Sequence, residues 1–486
     1  MDFLSYDFLF FFLLLFIIYW RLDRKKQNLL LLLGSYFFYA CWDWRFLFLM
    51  LFVTGIGYIC AIGIYRAEQK HKNSILWSSI AIHAVVLFFF KYYNFFIDNF
   101  NRLISDIMRV GDISSFWLDI ILPLGISYYI FKSLSYNIDI YRKVIKQPAT
   151  SFLDYALYIS FFPQILSGPI ERAANFLPQV AAPREFNVKF FSESCYLFFW
   201  GLFKKVFVAD GLAQIVNNIF KEQGVVSGFD VLIGAYAGTF RLYADFSGYT
   251  DMAIGIAGCL GFRTMLNFNL PFFAKNPFDI WRRWHISLSS WCRDYIFYYL
   301  NRARLRLGLI GIGGTSLAII ITMITMGVWH EASWAFLIWG LYHGILLTVA
   351  NALGKLSGNF LPDRLKKKNK WLGALGMFIT FHSFVFGELL YMSTSTYKSV
   401  GQAVNVIRNL FFNFTLTSGS ATFLVIFIFH TWILIVIEFF QFIKNDHFVV
   451  LKWNFWIKTV FYVLLIWLIV LYWGFSGPGA FIYGEF

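Results

Sequence analysis

The run "FLFFFLLLFIIYW", Phe8 to Trp20, is followed at once by "RLDRKK". A long apolar stretch closed by a short basic cluster recurs along the chain, and no other feature limits the fold as much. Composition makes the limit general: 59% of the residues are hydrophobic and 14% charged. Soluble globular chains carry about 45–50% apolar and roughly 25% charged residues. A soluble core cannot hide this much apolar surface behind a polar exterior. The chain therefore reads as an all-α polytopic membrane protein whose apolar segments cross a bilayer at about 20 residues each.

Basic residues follow the first run and none precede it, which puts the N-terminus outside and Arg21 to Lys26 in the cytoplasm. No small-residue cleavage site follows, so the run is a span and not a leader. By the same rule "YRAEQKHK" and "YRKVIK" fall inside, while Asp43 to Arg45 and the loop from Asp98 to Asp119 fall outside. "DRLKKKNK", Asp363 to Lys370, is the strongest cytoplasmic marker, with Lys367 at its centre. Lys444, Lys452 and Lys458 precede the last apolar run and no Lys or Arg follows it, so the C-terminus is expected outside too. Two outside termini require an even number of crossings, and the length suggests about twelve.

The formal charge of +14 sits in these loop clusters, so it does not point to nucleic acid. The five cysteines form no CxxC pair and read as reduced packing residues, with neither a disulfide nor a metal role. No repeat of 20–50 residues is evident, which weighs against an inverted-repeat transporter.

Three stretches break the pattern of plain spans. In "PQILSGPIERAANFLPQVAAP", Pro163 to Pro183, proline and glycine forbid a clean helix. It is either a cytoplasmic loop or a re-entrant wall whose polar backbone protein must satisfy. In "FDIWRRWHISLSSWCRDYI", Phe278 to Ile296, Trp281, Trp284, Leu288, Trp291 and Tyr295 recur at helical spacing. That predicts one amphipathic helix at the cytoplasmic interface, with Arg282, Arg283 and Arg293 on other faces and His285 beside the apolar stripe. In "TMGVWHEASWAFLIWGLYHG", Thr325 to Gly344, His330 lies between two greasy segments. An ionisable residue there is a functional candidate, and a buried imidazole stays neutral and can act as a base. Glu331 would point about 100° away on a helix and is not paired with it.

The other histidines carry less weight. His71 and His447 sit among polar residues, and His83, His382 and His430 read as hydrogen-bonded structural histidines. GxSxG, Walker A, HExxH and EF-hand patterns are absent.

"QILSGPIERAANFLPQ", "DFSGYTDMAIGIAGCLGF" (Asp245 to Phe262), "NPFDIWRRWHISLSSWCRDYIFYYL" and "VWHEASWAFLIWGLYHG" resemble the membrane-bound O-acyltransferase family. The likeness is to its bacterial branch, which O-acetylates exported polysaccharides such as alginate and peptidoglycan and includes the teichoic-acid D-alanyl transferase. The resemblance implies a ring of about twelve transmembrane helices, with re-entrant and amphipathic helices, around a central tunnel. It implies His330 as catalytic base and His285 as a second histidine on the cytoplasmic side. It puts Trp281, Trp284, Arg282, Arg283, Asp245, Ser247, Trp329 and Trp334 along the donor tunnel. No bound cofactor is implied. The donor would be acetyl-CoA, with a D-alanyl carrier protein as the alternative. The partner would be an extracytoplasmic SGNH-like acetyltransferase or polysaccharide export machinery, and the location a bacterial cytoplasmic membrane.

The tail "WGFSGPGAFIYGEF" ends in F-x-Y-x-x-F, Phe481, Tyr483 and Phe486. A similar ending occurs in this branch, which makes Tyr483 a candidate acyl relay; the competing reading is an interfacial aromatic anchor. Residues 1–450 are taken as the catalytic membrane domain, and 451–486 as the last span with its outside tail. The function expected is an O-acetyltransferase serving an exported polysaccharide. The alternatives are a D-alanyl transferase of the same fold and a non-catalytic transporter using His330 as a proton relay.

Overall fold

The computed structural model describes residues 1–108, 117–220, 227–360, 370–396 and 400–476. Every regular element among them is helical. Seven helices are long and apolar enough to cross a membrane: 45–66, 69–107, 312–330, 334–354, 371–395, 420–444 and 455–473. Tyr6–Tyr19 and Ala403–Phe412 are apolar but shorter. The apolar residues of these helices are largely turned outward. Phe455, Trp456, Ile457, Val460, Val463, Trp467 and Val470 are all exposed along one helix. Soluble monomers rarely expose an apolar patch of more than a few hundred Å². The chain is a multi-pass membrane protein.

The chain divides into two compact units, residues 1–195 with 253–265, and 196–252 with 266–486. In the first, helices Arg24–Asp43, Arg45–Arg66, Gln69–Leu87, Ile126–Tyr141 and Phe152–Ser160 enclose a core of buried tyrosines and phenylalanines. The proline-rich stretch lies here, and Phe161 to Gln164, Ser167 and Glu171 are buried. Side chains of neighbouring helices hydrogen-bond to it. Lys132 Nζ donates to Tyr158 O and Gln164 Oε1, each at 2.7 Å, and Tyr158 OH donates to Glu171 O at 3.0 Å. Its first half is buried, while Ala174, Asn175, Pro178 and Ala181 to Pro183 are exposed. His83 is tied by Ser79 O and Ser133 Oγ, a structural arrangement.

In the second unit, helices Ile312–His330 and Trp334–Phe360 form a tight hairpin. Small residues let helix backbones approach in membranes. A Cβ at Gly340 would stand 2.5 Å from Met323 O, and one at Gly327 would strike Phe336 O. The same unit holds His382 and His430, each bonded through both ring nitrogens: His382 to Phe378 O and Tyr236 OH, His430 to Phe207 O and Tyr472 OH.

The hairpin contact generates a prediction. Gly340→Val forces the two backbones apart, so the unfolding midpoint in detergent should fall, with a cost of about 1–3 kcal/mol or more. A midpoint equal to that of the wild type would show that the contact is not needed.

Candidate active site

The first wall of the site is a helix that fails to continue. Asn276 caps Pro277–Trp281 by accepting from Asp279 N, and Asp279 pairs with Arg283 at 3.1 Å. The chain then leaves the helix, passes through His285 at φ +42°, and starts a second helix at Ile286–Trp291. The single amphipathic helix expected over 278–296 is thus broken at His285, and its second part runs on from Ile286 through a π turn at Cys292–Phe297 into Tyr298–Arg306. The cause is a competing acceptor. Ile286 N donates to Asn267 O at 2.8 Å, Ser287 N to Asn267 Oδ1 at 3.1 Å, and Ser287 Oγ to the same oxygen at 2.9 Å. Asn269 N likewise takes Arg283 O at 2.9 Å. Groups that a helix would pair four residues back are paired with the segment 267–269 instead.

These bonds also set the state of His285. Its Nδ1 lies 3.1 Å from Asn267 Oδ1, the oxygen already identified as acceptor by the Ser287 amide. Nδ1 is therefore the protonated nitrogen, and Nε2 keeps its lone pair. Burial pushes the imidazole down to about 3, so His285 is neutral at neutral pH.

The second wall is the hairpin. His330 is the last residue of its first helix, and Glu331 leaves in an extended conformation. The His330 ring is 4% exposed. It lies 4.9 Å from the Trp329 ring, 5.5 Å from Phe336 in a stacked pose, and 5.6 Å from Trp339 edge-on. The His285 ring is 6.3 Å away. Two buried imidazoles thus share one aromatic enclosure, which also takes in Phe246 at 4.7 Å from His285.

Beside it lies a cavity of about 350 Å³ lined by Trp281, Arg282, Ile286, Ser289, Cys292 and Met326 among others. Arg282 is exposed and makes no ion pair among the described residues, whereas Arg283 is held by Asp279 and Asn269 O. Trp281 packs on Trp339 at 5.7 Å and Trp284 on Phe384 at 4.8 Å.

Asp245 is paired with Lys205 at 2.8 Å and Ser247 Oγ accepts from Lys204 Nζ at 2.9 Å, within a charge cluster completed by Asp210 and Asp251. Trp334 is 59% exposed at the start of the second hairpin helix. Tyr483 and Lys367 lie outside the described residues. Three site residues were not singled out from sequence: Asn267, Trp339 and Glu388, whose Oε1 accepts from Trp339 Nε1 at 3.1 Å. A carboxyl in an apolar span is a signal that would have found Glu388.

Residues 143–391 match the membrane-bound O-acyltransferase family. The chain belongs to that family. It is 40% identical over 66% of its length to the Azotobacter vinelandii protein named probable alginate O-acetylase AlgI, covering 62% of that protein. It is 32% identical over 77% of its length to a peptidoglycan O-acetyltransferase of Helicobacter pylori, covering 72% of it. It is 31% identical over 55% of its length to a teichoic acid D-alanyltransferase of Bacillus subtilis, covering 68% of it. The chain spans 62–65% of the length of the first three alginate O-acetylases it matches, less than two thirds.

Asn267→Ala should loosen the first wall. It leaves the buried Ser287 amide without its acceptor, at a cost of about 1–3 kcal/mol. The unfolding midpoint should drop, and Asn267→Asp, which keeps an acceptor oxygen, should lose less. Equal midpoints for all three proteins would count against this anchor.

Proposed function

We propose that the protein is an O-acetyltransferase of a bacterial cytoplasmic membrane that moves acetyl groups toward an exported polysaccharide. The single observation that carries the reading is the pair of buried imidazoles, 6.3 Å apart, inside the family-matched region. The names of the alginate and peptidoglycan relatives support acetyl as the group and a polysaccharide as the destination.

His330 acts as general base. A hydroxyl oxygen attacks the carbonyl carbon of a thioester, His330 takes the hydroxyl proton, the C–S bond breaks, and the leaving thiolate recovers that proton. Base catalysis of this kind contributes typically about 10²–10⁴-fold. His285 supports it from the donor side, where Nε2 is an acceptor. The cavity beside Arg282 receives the donor, acetyl-CoA, and its apolar lining keeps water from the thioester. Trp281, Trp284 and Trp329 wall the path. Asp245 and Ser247 act at a distance, by holding the helix that carries Phe246 onto His285. Trp334, at the start of the second hairpin helix, belongs to the same path.

The same reading includes a ring of about twelve helices around a tunnel, both termini outside, and a division into 1–450 and 451–486. The partner is an extracytoplasmic SGNH-like acetyltransferase or the export machinery, which takes the acetyl from the membrane enzyme. D-alanyl transfer is the second reading, supported by the Bacillus subtilis relative. A non-catalytic transporter is the third, and an inert purified protein would favour it.

Purified protein should transfer label from acetyl-CoA to an acceptor hydroxyl, and His330→Ala should lose about 10²-fold or more of that rate while remaining folded. His285→Ala should lose less. Near-normal transfer by His330→Ala would overturn its assignment as base, and transfer only from a D-alanyl carrier protein would replace acetyl with alanyl.

Tyr483 is proposed as a relay that carries acetyl as a phenyl ester. A phenol, with a pKa near about 10, is a better leaving group than a sugar alcohol, so the ester is activated for a second transfer. Tyr483→Phe keeps the aromatic anchor and should abolish polymer acetylation. Mass spectrometry of the wild-type terminal peptide should find the acetyl on Tyr483. Normal polymer acetylation by Tyr483→Phe would leave the tail as an anchor only.

A further inference from the structure

Trp339 is the ring on which the histidine enclosure turns. It lies edge-on to His330 at 5.6 Å, 4.7 Å from His343 and 5.7 Å from Trp281. It is 5% exposed, and its one polar atom, Nε1, donates to Glu388 Oε1 at 3.1 Å. Glu388 is itself 3% exposed and stands within the apolar span 371–395. No other hydrogen bond or ion pair reaches it among the described residues. A carboxyl at membrane depth is expensive and calls for a reason.

The reason lies in what the indole would do otherwise. His343 stands one turn further along the same helix, 1% exposed. Neither of its ring nitrogens has a hydrogen-bond partner among the described residues. A buried indole N–H left without an acceptor costs about 1–3 kcal/mol, so the bond to Glu388 holds the Trp339 ring in place. The His343 ring lies 4.7 Å from that of Trp339, yet it does not draw in every indole: Trp281 Nε1, on a ring 5.2 Å from the same imidazole, has no partner among the described residues. His343 fits against Gly387, next to Glu388, because that residue has no side chain: a Cβ there would lie 2.7 Å from Nε2. With Glu388 in place, the indole is drawn to the far helix and its edge stays against His330. Without it, no polar bond ties the ring to that helix, and the wall of His330 loosens.

We propose that Glu388 is a positioning residue for His330, acting through Trp339 by accepting the indole N–H. The inference rests on the acyl-transfer reading for its kinetic arm. It requires only an acceptor oxygen at position 388, not a charge.

Three variants test it, with two readouts. Glu388→Leu should lower kcat by about 10–100-fold, the scale of an ångström-sized misplacement, while leaving KM for the donor unchanged. Glu388→Gln retains an acceptor and should restore the wild-type rate. In a Trp339→Phe background, Glu388→Leu should cost nothing further, because its only route to His330 has gone. The second readout does not depend on turnover. Diethyl pyrocarbonate should modify His330, mapped by peptide mass spectrometry, faster in Glu388→Leu than in the wild type or Glu388→Gln. Overturning results are a glutamine variant as impaired as the leucine one, an undiminished leucine effect in the Trp339→Phe background, or equal modification rates in all variants. If the wild type transfers acyl from no donor, the functional reading falls, and the modification rates alone decide whether Glu388 positions His330.

Discussion

The backbone contact between the hairpin helices is the constraint on which the site depends. Glycine at 327 and 340 lets Ile312–His330 and Trp334–Phe360 touch main chain to main chain. That contact fixes His330 at the end of one helix and brings Phe336 and Trp339 of the other against its ring. Helices in lipid gain little from burying apolar side chains against each other, so close packing and shared polar groups must hold them. Here the packing is supplied by glycine, and the polar group is the indole of Trp339 reaching Glu388 on the following helix.

The first wall is built on the opposite principle. It is irregular backbone, and it persists because Asn267 and Asn269 satisfy it. Asn267 does two things at once: it ends the helix at Trp281 and selects the Nδ1–H form of His285. The ion cluster of Lys204, Lys205, Asp210, Asp245 and Asp251 anchors the helix that carries Phe246 onto the same imidazole. Removing one member of a buried pair typically costs about 3–5 kcal/mol.

Much of this was legible in the residues. Apolar runs and basic clusters disclose a multi-pass membrane protein, because lipid leaves a chain few options. His330 stands out because a histidine between two spans is rare and costly. The break before His285 was not legible. The local spacing of Trp281, Trp284 and Leu288 favours a continuous helix, and the acceptor that prevents it lies 18 residues upstream of His285. The bonds that Asp245 and Ser247 make were not legible either, since their lysine partners, at positions 205 and 204, belong to a different helix-forming segment. Glu388 is 49 residues from the indole it holds, a separation no periodicity reports.

The central claim is that acyl groups cross the membrane through this chain while their donor does not. Proteoliposomes sealed around acetyl-CoA labelled separately in its acetyl group and its adenine test it most directly, with an acceptor polysaccharide and its transferase added outside. The account predicts acetyl label on the outside polymer, adenine label retained within, and neither movement in vesicles carrying His330→Ala. Adenine label appearing outside together with the acetyl would mean that the protein carries the whole donor across, and the account would be wrong.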